Sequence, residues 1–95
     1  TLGVKVKETI QKVDGNTVVN TLERSNLIIT QTPQGFKKSL ITKAHDLAFD
    51  NGYIGTDDTV LLDKFLNIKA TFVHGDYRNI KLTTIEDIKL LEVVL

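Results

Sequence analysis

The 95-residue chain has no cysteine, so neither a disulfide nor a thiolate-bound metal can staple it. It has one proline, Pro33, and its six glycines are scattered. No G-x-G or Walker spacing occurs, which excludes a Gly-rich phosphate loop within these residues. Charge of one sign is also lacking. Twelve Lys and Arg cancel twelve Asp and Glu, which argues against the basic face that nucleic acid requires. No apolar run approaches the roughly 20 residues of a membrane span, and no signal-peptide pattern opens the chain. Thr1-Leu2-Gly3 is not a natural initiation, so the chain is expected to be a piece of a longer, cytoplasmic protein.

What is present is ordinary for a folded domain. Hydrophobic residues make up 41% and charged residues 25%, which sets disorder aside. A chain this short has a limited core. Without staples it is expected to lean on more chain or on a partner.

Val4 and Val6 alternate with Lys5 and Lys7, the period of a half-buried strand, and the pattern continues through Ile10 and Val13. Asp14-Gly15-Asn16 signals a tight turn, and Thr17-Val18-Val19 resumes strand composition. Residues 6–22 therefore read as a long β-hairpin, which is expected to pack on something beyond itself. Leu27-Ile28-Ile29 reads as a buried strand closed by Gln31-Thr32-Pro33-Gln34-Gly35. Helical spacing begins at Phe36 and runs through Leu40, Ala44, Leu47 and Ala48, with Gly52 as the C-terminal cap. Thr56 reads as the N-cap of a second helix, with Asp57 and Asp58 in its first turn and Val60, Leu61 and Phe65 buried. Strands are expected at Ala70–Val73 and Ile80–Leu82, flanking a turn at Gly75-Asp76. Thr83 and Glu86 have capping-box spacing ahead of a last helix ending near Leu95. The order is α/β, with too few strands for a complete doubly wound sheet.

Three polar segments fall where strands end or helices begin: Gln31-Thr32-Pro33-Gln34, Thr56-Asp57-Asp58 and Asn79-Ile80-Lys81-Leu82-Thr83. Ligands of open α/β sheets bind at such places. Two threonine hydroxyls, a helix N-terminus and a lysine make a phosphate site, and Arg24 adds a bidentate clamp. Each residue also has a plainer reading. Thr32 suits a turn, Thr56 a helix cap, Lys81 an edge strand guarded against pairing, and Arg24 a solvated turn. Asp57 and Asp58 suit a first helical turn better than a metal. His45 and His74 lack Cys or His neighbours, so neither is a metal or catalytic candidate.

Taken in order, Lys7-Glu8-Thr9-Ile10, Glu23-Arg24-Ser25, Gln31-Thr32-Pro33-Gln34-Gly35-Phe36, Thr56-Asp57-Asp58 and Asn79-Ile80-Lys81-Leu82-Thr83-Thr84 resemble the 2-C-methyl-D-erythritol 4-phosphate cytidylyltransferase family over essentially the whole chain. Glu8 and Glu23 keep the charge where that family often has aspartate, and Ile28 replaces a frequent aromatic. The resemblance implies the C-terminal part of a Rossmann-like nucleotidyltransferase sheet with an extended β-hairpin arm. On it the chain is a single partial domain, with residues 6–32 as arm and return strand and 36–95 as the remaining helices and strands. The resemblance also implies that an N-terminal half, which would bind CTP, is absent from these residues. The resemblance implies a homodimeric enzyme that joins CTP to methylerythritol phosphate with a divalent cation such as Mg2+, releasing pyrophosphate, in non-mevalonate isoprenoid synthesis. Thr9 and Arg24 would reach into the partner's site. Thr32, Thr56 and Lys81 would hold the substrate phosphate in the chain's own site, with Lys81 also acting catalytically. No metal or cofactor ligand is expected in this stretch, and the 95 residues alone are expected to be inactive. Ribitol-5-phosphate cytidylyltransferase shares the T-P-Q and N-I-K-x-T elements. A non-catalytic dimerisation module is the alternative of another class.

Overall fold

The alternation at the start of the chain forms a strand, but a short one. In a computed structural model, which describes residues 1–94, β1 (Leu2–Lys5) buries Gly3 and Val4. It pairs antiparallel with β4 (Ile28–Gln31), in a register running from Leu2 opposite Gln31 to Lys5 opposite Ile28. The chain then leaves the ladder. The hairpin resumes only at β2 (Gln11–Asp14) and β3 (Thr17–Thr21), closed at its base by the Leu22 amide donating to the Ile10 carbonyl at 2.9 Å. The expected span of 6–22 is therefore too long at its first end. The Lys5 and Lys7 carbonyls accept side-chain hydrogen bonds from Tyr77 and Arg24, so this stretch is held from outside a ladder.

Within the hairpin, Gly15 takes φ +58° at the first central position of a two-residue loop, a conformation that costs glycine no Cβ clash. The register slips between Lys12 and Val13, so Val19 becomes the extra residue of a bulge. Both strands are exposed along their whole length.

The chain divides into two compact units. One comprises Thr1 and Pro33–Val73. The other comprises Leu2–Thr32 and the chain from His74 onward. The first unit holds the main core. Helix α1 (Lys38–Asp50) presents Ala44 and Ala48, one turn apart, to Leu61 and Leu62 of α2 (Asp58–Leu66). Small residues at that spacing let two helices approach closely, and Ala44 is fully buried. Phe36, expected to open the helix, packs on this core from just before it. Gly52, at φ +62°, ends α1 as expected: Tyr53 N–H donates to Ala48 C=O and Gly52 N–H to Phe49 C=O, the paired bonds of a Schellman turn. Val60 and Phe65 are only partly buried, and Leu62 takes the core position instead.

The second unit is thinner. Its sheet has the order β4-β1-β5, with β5 (Val73–His74) at the point where the chain passes from the first unit. Val4 is the buried apolar side chain of this unit among the described residues. β4 is an edge strand, so Ile29 is 48% exposed rather than buried. The strand expected at Ala70–Val73 shrinks to β5. Residues Ile80–Leu82 form no strand at all, because Ile80 N–H turns back to Arg78 C=O. Helix α3 (Ile85–Val94) follows with no buried residue, and Leu95 lies outside the described residues. Its capping box is one residue later than expected. Asp87 Oδ2 accepts from the Thr83 and Thr84 amides at 3.0 and 2.9 Å, and Thr84 Oγ1 accepts from Asp87 N–H. Glu86 has no part in it.

Candidate functional site

The sequence singles out five residues: Thr9, Arg24, Thr32, Thr56 and Lys81. Four of them lie in the second unit, and Thr56 lies in the first. All are exposed. The hydroxyls of Thr9, Thr32 and Thr56 and the Lys81 ammonium make no hydrogen bond or ion pair among the described residues.

The second unit gathers its four around two anchors. The first anchor is the end of β4. Gln31 Nε2 donates to the Asp76 carbonyl at 2.8 Å and to that of Asn79 at 3.4 Å. Asn79 Nδ2 donates to the Thr32 carbonyl at 2.7 Å. These bonds span more than forty residues of sequence and fix the 75–81 loop against the strand end. Thr32 is thereby joined to the segment that carries Lys81. Glycine at position 75 leaves room for this brace, because an added Cβ would run into the Gln31 amide oxygen and make that side chain shift. Inside the loop Asp76 grips Arg78 with both carboxylate oxygens, at 3.2 Å to Nε and 2.9 Å to Nη2. The Arg78 side chain and backbone amide hold the Asp76 carboxyl down at about 2. Arg78 is thus paired locally, whereas the Lys81 side chain has no ion-pair partner among the described residues.

The second anchor is the base of the hairpin. Arg24 lies in a short 3-10 turn, Arg24–Asn26, capped by the Glu23 carboxylate, which accepts from Ser25 Oγ at 3.0 Å. One guanidinium nitrogen of Arg24 donates to the Lys7 carbonyl. Thr9 lies on the same segment, next to the Ile10 carbonyl that closes the hairpin. Thr9 and Arg24 are therefore brought to one end of the hairpin by main-chain anchoring. The Arg24 contact leaves guanidinium donors for an anion.

In the first unit, Thr56 is not the helix cap. Asp57 caps α2: its Oδ1 accepts from Val60 N–H at 3.2 Å and from Thr59 Oγ1 at 2.6 Å. Aspartate is the better N-cap acceptor, so Thr56 is displaced one place outward with its hydroxyl uncommitted. Gln34 Nε2 reaches both Asp57 Oδ2, at 3.4 Å, and Thr1 Oγ1, at 3.0 Å. Gln34 thus meets the T-D-D segment within this unit. Burial pushes the Asp57 carboxyl upward, but hydrogen bonds from Thr59, Val60 and Gln34 outweigh it and leave the group below 3.8. Asp58 is bonded to His45 Nε2 at 2.9 Å, which ties the first turn of α2 to α1.

Three acidic side chains of these segments are committed: Asp57 to a cap, Asp58 to His45, Asp76 to Arg78. Among the described residues no group of three or more His, Asp or Glu is placed to hold a metal. The divalent cation that the resemblance calls for finds no such group among the described residues. No described helix is long and apolar enough to cross a membrane.

Sequence reading missed Tyr77, which touches both Lys5 and Lys7, and the bridging amides of Gln31, Gln34 and Asn79. The amides lie inside the quoted segments, but nothing in spacing says which backbone group each will find. Tyr77 follows a turn signal and carries no pattern of its own.

The model of the family described as 2-C-methyl-D-erythritol 4-phosphate cytidylyltransferase (IspD) matches residues 1–95. The protein of that name from Geobacillus thermodenitrificans is 51% identical over 92 residues, covering 97% of this chain and 40% of the relative. That from Caldanaerobacter subterraneus is 46% identical over 95 residues, covering 99% and 41%. The crystal structure of 4-diphosphocytidyl-2C-methyl-D-erythritol synthase from Anaerococcus prevotii superimposes with a TM-score of 0.84 at 34% identity, over 98% of this chain and 43% of that one. The Francisella tularensis enzyme gives 0.83 at 33% identity, over 99% and 44%. Fold and sequence together place the chain among the cytidylyltransferases, with the mixed α/β, Rossmann-like topology of those structures. It belongs to the 2-C-methyl-D-erythritol 4-phosphate cytidylyltransferase family. The chain spans about 40% of the length of the curated relatives it matches.

Proposed function

We propose that this chain is the C-terminal part of an enzyme that couples CTP to 2-C-methyl-D-erythritol 4-phosphate and releases pyrophosphate. In that reaction an oxygen of the sugar-alcohol phosphate attacks the α-phosphorus of CTP, and the bond to the pyrophosphate breaks. Two anions must approach each other, so the protein's task is to offset repulsion and to stabilise charge that grows in the transition state. The observation that carries the reading is the Gln31 and Asn79 brace. It sets Thr32 and the Lys81 segment together at a strand end, with a hydroxyl and a cation both uncommitted. Lys81 and Thr32 hold the substrate phosphate, and Thr56 of the first unit, its hydroxyl uncommitted, is a further substrate-binding residue. Thr9 and Arg24 act from the hairpin on the sugar phosphate of a partner subunit in a homodimer. The CTP loop and the divalent cation belong to the rest of the protein.

The test is substitution in the full-length protein. Lys81→Ala should lower kcat/KM about a hundredfold, the loss of roughly 3 kcal/mol from one charge-assisted contact in a water-excluded site. Thermal stability should be unchanged. Pyrophosphate release is measured with CTP and either methylerythritol phosphate or ribitol 5-phosphate. Unchanged efficiency for Lys81→Ala sinks the assignment of the lysine, and a preference for ribitol 5-phosphate sinks that of the substrate.

A further inference from the structure

Tyr77 belongs to none of the polar segments, yet it connects them. Its hydroxyl donates to the Lys5 carbonyl at 2.6 Å, where β1 ends. Its ring lies beneath the Lys7 ammonium, 3.8 Å from nitrogen to ring centroid, within cation–π range. The Lys7 carbonyl, in turn, accepts from Arg24. Tyr77 itself is fixed from behind, because Gln31 holds the carbonyl of Asp76 and Asn79 holds that of Thr32. The loop that carries Lys81 and the hairpin base that carries Thr9 and Arg24 therefore share one aromatic latch, all of it within the second unit.

We propose that Tyr77 is a positioning residue, which sets the Lys5–Lys7 segment and through it the Arg24 guanidinium for the sugar phosphate. The inference rests on the role given to Arg24 above. The segment needs such a latch because no ladder holds it: pairing stops at Lys5 and resumes only at the Ile10 and Leu22 bond. Tyr77 touches no reacting atom in this scheme. It acts through Lys7.

Two measurements on the full-length protein test it. In the first, Tyr77→Ala raises KM for methylerythritol phosphate about tenfold and leaves KM for CTP unchanged, while Tyr77→Phe, which keeps the ring under Lys7, recovers part of the loss. The double variant with Arg24→Ala is no worse than Arg24→Ala alone, because both changes disable one device. Additive losses, or equal rises in both KM values, overturn the proposal. The second measurement needs no activity. Amide hydrogen exchange at Leu22, whose bond to Ile10 closes the hairpin base, should speed up in Tyr77→Ala. Unchanged protection there overturns the latch whatever the kinetics show. If the unsubstituted protein transfers no cytidylyl group to the sugar phosphate, the functional reading falls and the exchange result alone decides the latch.

Discussion

Single carboxylates do much of the local fixing in this chain, and hydrogen bonds favour the charged form of three of them. Asp57, Asp76 and Asp87 all lie below their ordinary 3.8, Asp76 at about 2. For Asp87 the cause is the pair of backbone amides, Thr83 and Thr84, that it accepts from. A carboxyl whose folded pKa is depressed adds stability above its unfolded value and loses it as pH falls through its folded value. Thermal stability is therefore expected to be flat from neutral pH down to about 5, then to fall steadily below about 4 as these groups protonate. Melting curves across that range check it. Asp57 offers the sharper variant. Asp57→Ala removes an N-cap and should cost about 1 kcal/mol. Asp57→Asn keeps the acceptor oxygen, so it should cost less at pH 7 and should flatten part of the acid slope. If both variants melt alike at pH 7, the cap contributes nothing through its oxygen.

At the scale of elements, what was legible in the sequence is what local chemistry decides. The Gly15 turn and the Gly52 stop depend on a positive φ that few other residues accept, and both stand where the sequence puts them. The period of α1 is likewise local, with Ala44 and Ala48 one turn apart on the buried face. What was not legible depends on competition between neighbours. Asp57 outcompetes Thr56 for the cap, and Asp87 outcompetes Glu86 for the capping box, in each case by one residue. The span 6–22 alternates well enough for an unbroken ladder, but the Arg24 side chain claims the Lys7 carbonyl within it. The site followed the same division. Residue types and segments were readable, whereas the amide bridges that join them were not. The hairpin carries one more expectation. Val13 and Val18 pair across it and are more than half exposed. Replacing both with Ser should change stability by no more than about 0.5 kcal/mol if they face only water. On the proposed dimer reading the same change should weaken association in the full-length protein. Melting curves and light scattering separate the two effects, and an unaltered dimer would remove the hairpin from the interface.

For the whole molecule, the decisive question is which subunit supplies which charge. The core here is small: Val4, Ala44, Ala48, Leu61 and Leu62 are the buried apolar residues among those described. Such a core gives the exposed hairpin little to pack on, which is the physical ground for placing its base in a partner's site. The proposal divides the labour, with Lys81 serving its own chain's site and Arg24 serving its partner's. Two disabled proteins then complement each other. In a heterodimer of full-length Arg24→Ala and Lys81→Ala subunits, the site in the Arg24→Ala subunit keeps its own Lys81 and receives an intact Arg24 from its partner. The other site lacks both. If subunits mix at random, half of the dimers are mixed, and each has one of two sites intact. The mixture should therefore regain about a quarter of the unsubstituted activity, far above either variant alone if each single loss is about a hundredfold. Subunit exchange is confirmed independently by mass spectrometry of differently tagged chains. A mixture that exchanges but stays no more active than its components would show that Arg24 does not act across the interface.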